Sequence, residues 1–360
     1  MKKKSILFLL LTLSTLLASA QTDSLELKIG QMLLVGVHGT SADEYILKSI
    51  KEGKVGSVVI YEKNFTPTDT YLNLKKFTWS MQKASNIPLF ITIDQEGGLV
   101  NRLKTKYHFP KSVTAEYLGE QDNADSTFIY AEMTASTLAG LGININFAPV
   151  VDLATNPDNP VIAKNGRAFS ADENTVTKHA AITVAAHRKH DVITVLKHFP
   201  GHGSSKSDTH LGIADVTSYW EKKELYPYEE MIKNNEVDAI MTAHIVNKKL
   251  DKKGLPGTLS KAMMTDLLRG KLNYEGVIFS DDMQMHAITK HYGLEKAILL
   301  SIEAGVDVLM FSNNIQGSEN RTVDTVFDII KKYVQDGKIS EERINESFQR
   351  IMKLKTKLDS

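Results

Sequence analysis

The sequence predicts an α/β protein that folds as a single-domain (β/α)8 TIM barrel, and three observations support this prediction. Eight short apolar segments recur along the chain, mostly rich in Val, Ile and Leu without polar alternation, which is typical of strands covered on both faces. Longer amphipathic segments separate them, as in a parallel sheet with helical connections. Polar residues stand at the ends of the apolar segments, and a barrel would gather them at one mouth. A doubly wound open sheet is the alternative.

The first 20 residues have the pattern of a secretory signal peptide. Three lysines precede the apolar residues 6–17, and small residues follow at 18–20. The apolar stretch is too short to span a bilayer, so we expect cleavage before Gln21 and no stable membrane insertion. The predicted barrel domain is residues 21–360. We expect an exported protein, with the periplasm favoured over the external medium.

The composition excludes some sources of stability and some partners. The chain has no cysteine, so no disulfide can stabilise it after export, and its core must do so alone. Lys and Arg together number 43, as do Asp and Glu, and this balance does not favour nucleic acid or an anionic membrane as a partner. The sequence makes no prediction about protein partners.

The predicted elements alternate between strand and helix. The strands are expected at residues 31–37, 55–61, 88–94, 144–151, 192–198, 238–244, 276–281 and 307–312. Helices are expected at residues 122–139, 173–188, 260–271 and 288–304. A last helix should begin after Ser340, because this residue can cap it and Ile344, Phe348 and Ile351 share one face.

Asp281 is the strongest single candidate for a catalytic group. It follows an apolar segment and is followed by Asp282. Because neighbouring strand residues face opposite ways, only one of the two carboxylates can point into the barrel mouth, and we expect Asp282 to cap a helix near Met283. A carboxylate in the mouth suits a covalent nucleophile or a stabiliser of a cationic transition state. A simple turn residue is the alternative for Asp281.

Several ionisable residues follow the fifth predicted strand. Lys197 and His198 stand at its end, and Asp208 and His210 lie on the loop beyond it. An Asp beside an imidazole fixes its tautomer and favours its protonation, which suits a general acid–base pair, whereas an exposed loop His is the alternative. The histidines lack the spacing of metal ligands, so no metal site is predicted.

A third cluster surrounds a pair of glycines. Asp94 ends the third predicted strand, and Arg102 follows after Gly97 and Gly98. A carboxylate that accepts hydrogen bonds from sugar hydroxyls and an arginine that donates hydrogen bonds to them are common in carbohydrate recognition. Arg167 is either a further donor or the partner of a surface carboxylate, and the sequence leaves both readings open.

Together these clusters resemble the bacterial β-N-acetylhexosaminidases of glycoside hydrolase family 3. The resemblance rests on residues 94–98, 146–152, 166–169, 197–203 with Asp208 and His210, 241–244, and 279–283. Leu99 departs from it, because relatives often have Arg at that position.

The resemblance implies a retaining exo-β-N-acetylglucosaminidase without a metal or organic cofactor. Asp281 would be the nucleophile, and His210 assisted by Asp208 the acid–base. The residues implied to hold the terminal N-acetylglucosamine are Asp94, Arg102, Arg167, Lys197 and His198. Expected substrates are peptidoglycan fragments, in wall turnover, or chito-oligosaccharides. A phosphate-using phosphorylase, a non-catalytic glycan-binding protein and a metal-dependent barrel hydrolase are the alternatives.

Overall fold

The computed structural model describes residues 24–208, 212–314 and 322–358. The predicted signal peptide and His210 therefore lie outside the described residues. Numbered along the chain, the strands are β1 (Leu33–Gly36), β2 (Ser57–Ile60), β3 (Phe90–Ile93), β4 (Ile145–Asn146), β5 (Ile193–Phe199), β6 (Ala214–Asp215), β7 (Ala239–Thr242), β8 (Ile245–Val246), β9 (Val277–Phe279) and β10 (Leu309–Phe311).

Eight of these strands form one parallel sheet in the order β10-β1-β2-β3-β4-β5-β7-β9. A parallel bridge between Phe279 and Val308 joins the two ends of this order, and the amide of Ser280 donates to the Val308 carbonyl at 2.8 Å. The sheet therefore closes on itself, which confirms the (β/α)8 barrel and excludes the open sheet. The short strands β6 and β8 form a separate pair.

The largest departure from the predicted strands is β4, which covers Ile145–Asn146 instead of residues 144–151. Pro149 follows closely and has no N–H to give to a ladder. Single backbone bonds to β5 continue beyond β4, since the Ala148 carbonyl accepts the amide of Val195 at 3.1 Å and the amide of Val151 donates to the Lys197 carbonyl at 2.8 Å. The apolar run after Asn146 is therefore buried without being a continuous strand.

The helices cover the outside of the barrel. They are α1 (Leu25–Gln31), α2 (Glu44–Lys51), α3 (Thr70–Ala84), α4 (Ala115–Gln121), α5 (Ala124–Gly140), α6 (Glu173–Arg188), α7 (Tyr226–Lys233), α8 (His286–Tyr292), α9 (Leu294–Ala304), α10 (Thr322–Gln335) and α11 (Glu341–Lys355). Within the described ranges, no helix is both long and apolar enough to cross a bilayer.

Three helix predictions are confirmed and two need correction. The helix predicted at residues 122–139 is α5, Ala124–Gly140. The helix α6 has the predicted bounds, and α11 begins after Ser340, whose hydroxyl accepts the amide of Arg343 at 3.1 Å. The segment predicted at 288–304 is instead two helices, because Gly293 separates them with a φ of 72° that other residues avoid. The segment predicted at 260–271 contains a π-helix, Ala262–Lys271, in place of an α-helix.

A buried lysine fills the end of the barrel at the amino ends of its strands. Lys355 of α11 is 1% exposed, and its Nζ donates to Gln31 Oε1 at 2.7 Å and to the Gly56 carbonyl at 3.0 Å. The same Nζ lies 4.7 Å from the centre of the Phe90 ring. Burial lowers the pKa of Lys355 to about 7. This end of a barrel contributes to stability, and catalytic groups lie at the other end.

Candidate active site

A cavity of about 300 Å³ lies at the carboxyl ends of the barrel strands. Its volume is that of a pocket for a small ligand. Six of the eight predicted site residues line it, namely Asp94, Arg102, Arg167, Lys197, His198 and Asp281. Asp208 is half-buried on the loop after β5 and is not among the lining residues, and His210 lies outside the described residues.

Five charged side chains form a connected row in this pocket, which we call the ion-pair chain: Arg167, Glu96, Lys197, Asp94 and Arg102. Lys197 Nζ lies 2.8 Å from Asp94 Oδ1 and 2.6 Å from Glu96 Oε1. Arg102 Nη2 is 3.7 Å from Asp94 Oδ2. Burial disfavours the charge of Lys197, but the carboxylates of Asp94 and Glu96 outweigh burial and raise the pKa of its amine. The signs of the charges alternate along the row.

Glu96 connects the two ends of this row and is missed by sequence reasoning. Arg167 holds it with two bonds, from Nε to Oε2 and from Nη2 to Oε1, each 2.8 Å long. Burial disfavours ionisation of Glu96, but Arg167 and then Lys197 outweigh burial and hold its pKa far below the usual range. Of the two readings of Arg167, the one that pairs it with a surface carboxylate is therefore wrong. The available signal was spacing, because Glu96 stands two residues after Asp94.

His198 is oriented by a buried carboxylate. The register between β5 and β7 shifts between Leu196 and Phe199, and this bulge accompanies the placement of both Lys197 and His198 in the pocket lining. His198 Nδ1 lies 2.6 Å from Asp152 Oδ2, and Nε2 lies 3.4 Å from Arg167 Nη2. Because Nδ1 donates its proton to Asp152, Nε2 is an acceptor and faces the guanidinium of Arg167.

Asp152 stands just past the fourth predicted strand, where a barrel gathers polar residues, but no role in the site was predicted for it. It is fully buried, and its Oδ1 accepts the amides of His198 at 3.2 Å and of His202 at 2.7 Å. Burial disfavours its charge, but the neighbouring His198 imidazole and its hydrogen bond lower the pKa of this carboxyl. Burial is the largest cause that lowers the pKa of His202 to about 4, and His198 and Arg167 act in the same direction, against the pull of Asp152.

The two carboxylates after β9 have different environments. Asp281 and Asp282 both line the pocket, contrary to the expectation that only one of them would point into it, and the backbone amide of Asp281 donates to Thr242 Oγ1 at 3.3 Å. The prediction that Asp282 caps a helix near Met283 is wrong, because α8 begins only at His286. Asp282 Oδ2 instead accepts the Ser312 hydroxyl at 2.5 Å and so links the ends of β9 and β10. Burial raises the pKa of Asp282 to about 6.

A layer of amides behind the pocket holds the loop after β3. Asn146 Oδ1 accepts the amide of Gln95 at 3.1 Å, and Asn146 Nδ2 donates to the Gln95 carbonyl at 3.0 Å. The Gln95 side chain accepts the amide of Arg102 at 2.9 Å. His187 Nδ1 lies 2.8 Å from the Thr183 carbonyl and carries the proton, so its Nε2 accepts from Asn146 Nδ2 at 3.0 Å. This layer positions Glu96 and Arg102 relative to the barrel.

In the described part of the chain, no three His, Asp or Glu side chains gather in a way that could hold a metal ion. The charged groups of the pocket bind one another instead, as the ion-pair chain and the contact of His198 with Asp152 show.

Comparison with known proteins places this site in a family. Residues 24–354 match the glycosyl hydrolase family 3 N terminal domain. Beta-hexosaminidase A of Pseudoalteromonas piscicida is 34% identical over 328 residues, which are 84% of this chain and 54% of that protein. The beta-hexosaminidase of Tolumonas auensis is 30% identical over 289 residues, which are 79% of this chain and 84% of that protein.

Solved structures agree with the sequence comparison. A glycoside hydrolase family 3 beta-N-acetylglucosaminidase from Paenibacillus sp. str. FPU-7 has a TM-score of 0.86 and 33% identity, covering 94% of this chain and 63% of that one. The chain thus spans about half the length of the Pseudoalteromonas relative and under two thirds of the Paenibacillus one. The family match nevertheless covers almost the whole described chain, and the protein belongs to glycosyl hydrolase family 3.

Proposed function

We propose that this chain is a retaining exo-β-N-acetylglucosaminidase that removes terminal N-acetylglucosamine from peptidoglycan fragments or chito-oligosaccharides. The observation that carries the proposal is the position of Asp281 in one cavity with the ion-pair chain. A carboxylate beside several donors and acceptors for hydroxyl groups is the arrangement that glycoside cleavage needs. The names of the relatives, beta-hexosaminidase and beta-N-acetylglucosaminidase, support the same activity.

In the first step of this mechanism, Asp281 attacks the anomeric carbon. The bond from that carbon to the leaving oxygen breaks while an ester bond to Asp281 forms, and protonated His210 gives its proton to the leaving oxygen. Asp208 orients His210 and favours its protonated form. In the second step, neutral His210 takes a proton from water, the water oxygen attacks the same carbon, and Asp281 leaves as a carboxylate.

Substrate recognition would use the edges of the ion-pair chain. Three hydrogens of Arg167 go to Glu96 and His198, and Nη1 donates to the Val161 carbonyl at 3.2 Å, which leaves one Nη1 hydrogen to reach a sugar oxygen. Asp94 and Arg102 lie at the other end of the ion-pair chain and supply acceptors and donors for hydroxyl groups. The setting we favour is wall turnover in the periplasm, on the evidence of the signal pattern in residues 1–20.

The test is release of nitrophenol from aryl β-N-acetylglucosaminide and from aryl β-glucoside by the mature protein, with EDTA present. We expect a clear preference for the N-acetyl substrate, and proton NMR should show the β-anomer of the sugar first. Asp281→Asn should lower kcat by at least about a thousandfold. Asp158→Asn, at a side chain that is 84% exposed, is the matched control and should leave kcat unchanged.

Three outcomes would contradict parts of this proposal. First release of the α-anomer would rule out retention. A sugar phosphate formed on addition of phosphate would make the enzyme a phosphorylase. Glycan binding without turnover by the folded wild-type protein would leave only the binding function.

A further inference from the structure

The loop that carries Asp208 is fixed at its base by three buried side chains. The amide of His202 donates to Asp152 Oδ1 at 2.7 Å, and the amide of Gly203 donates to Glu224 Oε2 at 3.0 Å. The carbonyls of both residues accept Asn159 Nδ2, at 2.8 and 2.9 Å. Both amides and both carbonyls of this two-residue segment are therefore bound by side chains from outside the loop.

Glu224 lies directly against this segment. A Cβ at Gly201 would come within 2.7 Å of Glu224 Cβ, and a Cβ at Gly203 would lie 1.7 Å from the Leu153 carbonyl oxygen. The two glycines thus allow the backbone to approach Glu224 and the barrel closely enough for the amide of Gly203 to reach the carboxylate. Asp152 also binds His198 of the pocket, whereas Glu224 does not line the cavity.

A buried carboxylate at this place calls for a reason other than packing. Glu224 is 1% exposed, and its carboxylate binds the amide of Gly203 and lies beside Ser204. Burial raises its pKa to about 7, and the negative charge of Asp152 acts in the same direction. Burying such a group without a cation costs free energy that an apolar side chain of similar size would not. The bond to Gly203 is what an apolar residue could not make.

Further hydrogen bonds hold the loop between its base and Asp208. Asn156 Nδ2 donates to the Ser205 carbonyl at 2.8 Å, and the Ser205 hydroxyl donates to the Ser207 carbonyl at 2.8 Å. Asp208 is the next residue in the chain. The direction in which the loop leaves Gly203 therefore determines where Asp208 begins.

We propose that Glu224 is a positioning residue for the acid–base pair, which it places by holding the amide of Gly203 at the base of the loop. This inference rests on the proposed roles of Asp208 and His210. Glu224 touches neither the reacting atoms nor the pocket, and it acts only through the backbone.

Glu224→Ala and Glu224→Gln separate this role from a general effect on stability. Glu224→Ala removes the acceptor of the Gly203 amide, whereas the Gln side chain keeps an oxygen that can accept it. The control is Asp238→Asn at the opposite end of the barrel, where Asp238 is 4% exposed and binds Arg188 and Thr194. All three variants are compared with wild type at matched folded fractions.

The first measurement is hydrogen exchange in the peptide spanning residues 200–208, which needs no substrate. Glu224→Ala should exchange there at least about tenfold faster than wild type, Glu224→Gln close to wild type, and Asp238→Asn no faster in this peptide than elsewhere. Unchanged exchange in Glu224→Ala would overturn the anchoring, whatever the enzyme's activity.

The second measurement is kcat/KM for a methyl and a dinitrophenyl β-N-acetylglucosaminide, since only the poor methoxide leaving group needs protonation. Glu224→Ala should lose roughly tenfold more activity on the methyl glycoside than on the dinitrophenyl one, with Glu224→Gln restoring the ratio. Equal losses on both substrates, as expected for Asp238→Asn, would overturn the positioning role. Failure of wild type on both substrates would instead contradict the proposed function, and the exchange result would still decide whether Glu224 anchors the loop.

Discussion

Replacing Lys355 by Met should remove a pH dependence from the stability of the barrel. The Lys355 amine is buried against Gln31, Gly56 and Phe90 at the amino ends of the strands. Burial lowers its pKa from 10.5 to about 7 in the folded protein. In the unfolded chain the amine is in water and keeps its ordinary pKa. Between these two values, the unfolded state binds more protons than the folded state.

The sign and size of the effect follow from this difference. The free energy of unfolding rises with pH wherever the unfolded state binds more protons. Below pH 7 the buried amine is charged and lowers the stability of the wild type by the full amount, and this loss disappears as the pH approaches 10.5. With 1.36 kcal/mol per pH unit, the recovery between about pH 6.5 and about pH 9.5 is about 3 kcal/mol. Lys355→Met lacks this term. It also leaves Gln31 Oε1 and the Gly56 carbonyl without this donor, but that loss does not change with pH.

The assay is urea unfolding of wild type and Lys355→Met across that pH range. The difference in free energy of unfolding, wild type minus variant, should become more positive by about 3 kcal/mol as the pH rises. Lys353→Met, at an exposed position of the same helix, is the control and should follow the wild-type profile. A constant difference between wild type and Lys355→Met across the range would refute the reasoning.

Two further predictions concern the pocket. Glu96→Gln leaves Lys197 and Arg167 buried without the carboxylate between them. It should therefore lower the free energy of unfolding by about 3–5 kcal/mol, measured by urea unfolding. It should also reduce kcat/KM for aryl glycoside hydrolysis. Wild-type stability in Glu96→Gln would show that the two cations do not depend on it. Asn146→Leu removes both bonds to the Gln95 backbone and should cost about 2–3 kcal/mol of stability, and an unchanged urea midpoint would contradict that layer's role.

The barrel could be predicted from the sequence because its strands are short apolar runs that end in polar residues. Where the prediction failed, long-range contacts decided the outcome. A pattern of apolar spacing does not show that Gly293 interrupts a helix, since a glycine inside a helix is tolerated when packing favours it. Asp282 has the local features of a helix cap, but its actual partner is Ser312 on the next strand.

The pocket was predicted in part for the same reason. Strand ends identify Asp94, Lys197 and Asp281, because the closed sheet brings all strand ends together. Glu96 and Asp152 serve other side chains of the pocket, and their partners are distant in sequence. Their positions close to strand ends are a local signal, but the sequence does not show which side chains they bind. The signal pattern in residues 1–20 and the pairing of Asp208 with His210 stay predictions.

The ion-pair chain has a consequence for how a ligand approaches the pocket. Its charges alternate over contact distances, with three cations against two anions, and the carboxyl groups of Asp281 and Asp282 in the same cavity nearly offset the remaining positive charge. The fields of such a row cancel within a few ångströms, so the mouth projects little net potential into solution. An uncharged sugar loses nothing by this, since it binds through short hydrogen bonds formed only after arrival. Its rate of capture should therefore be nearly independent of ionic strength.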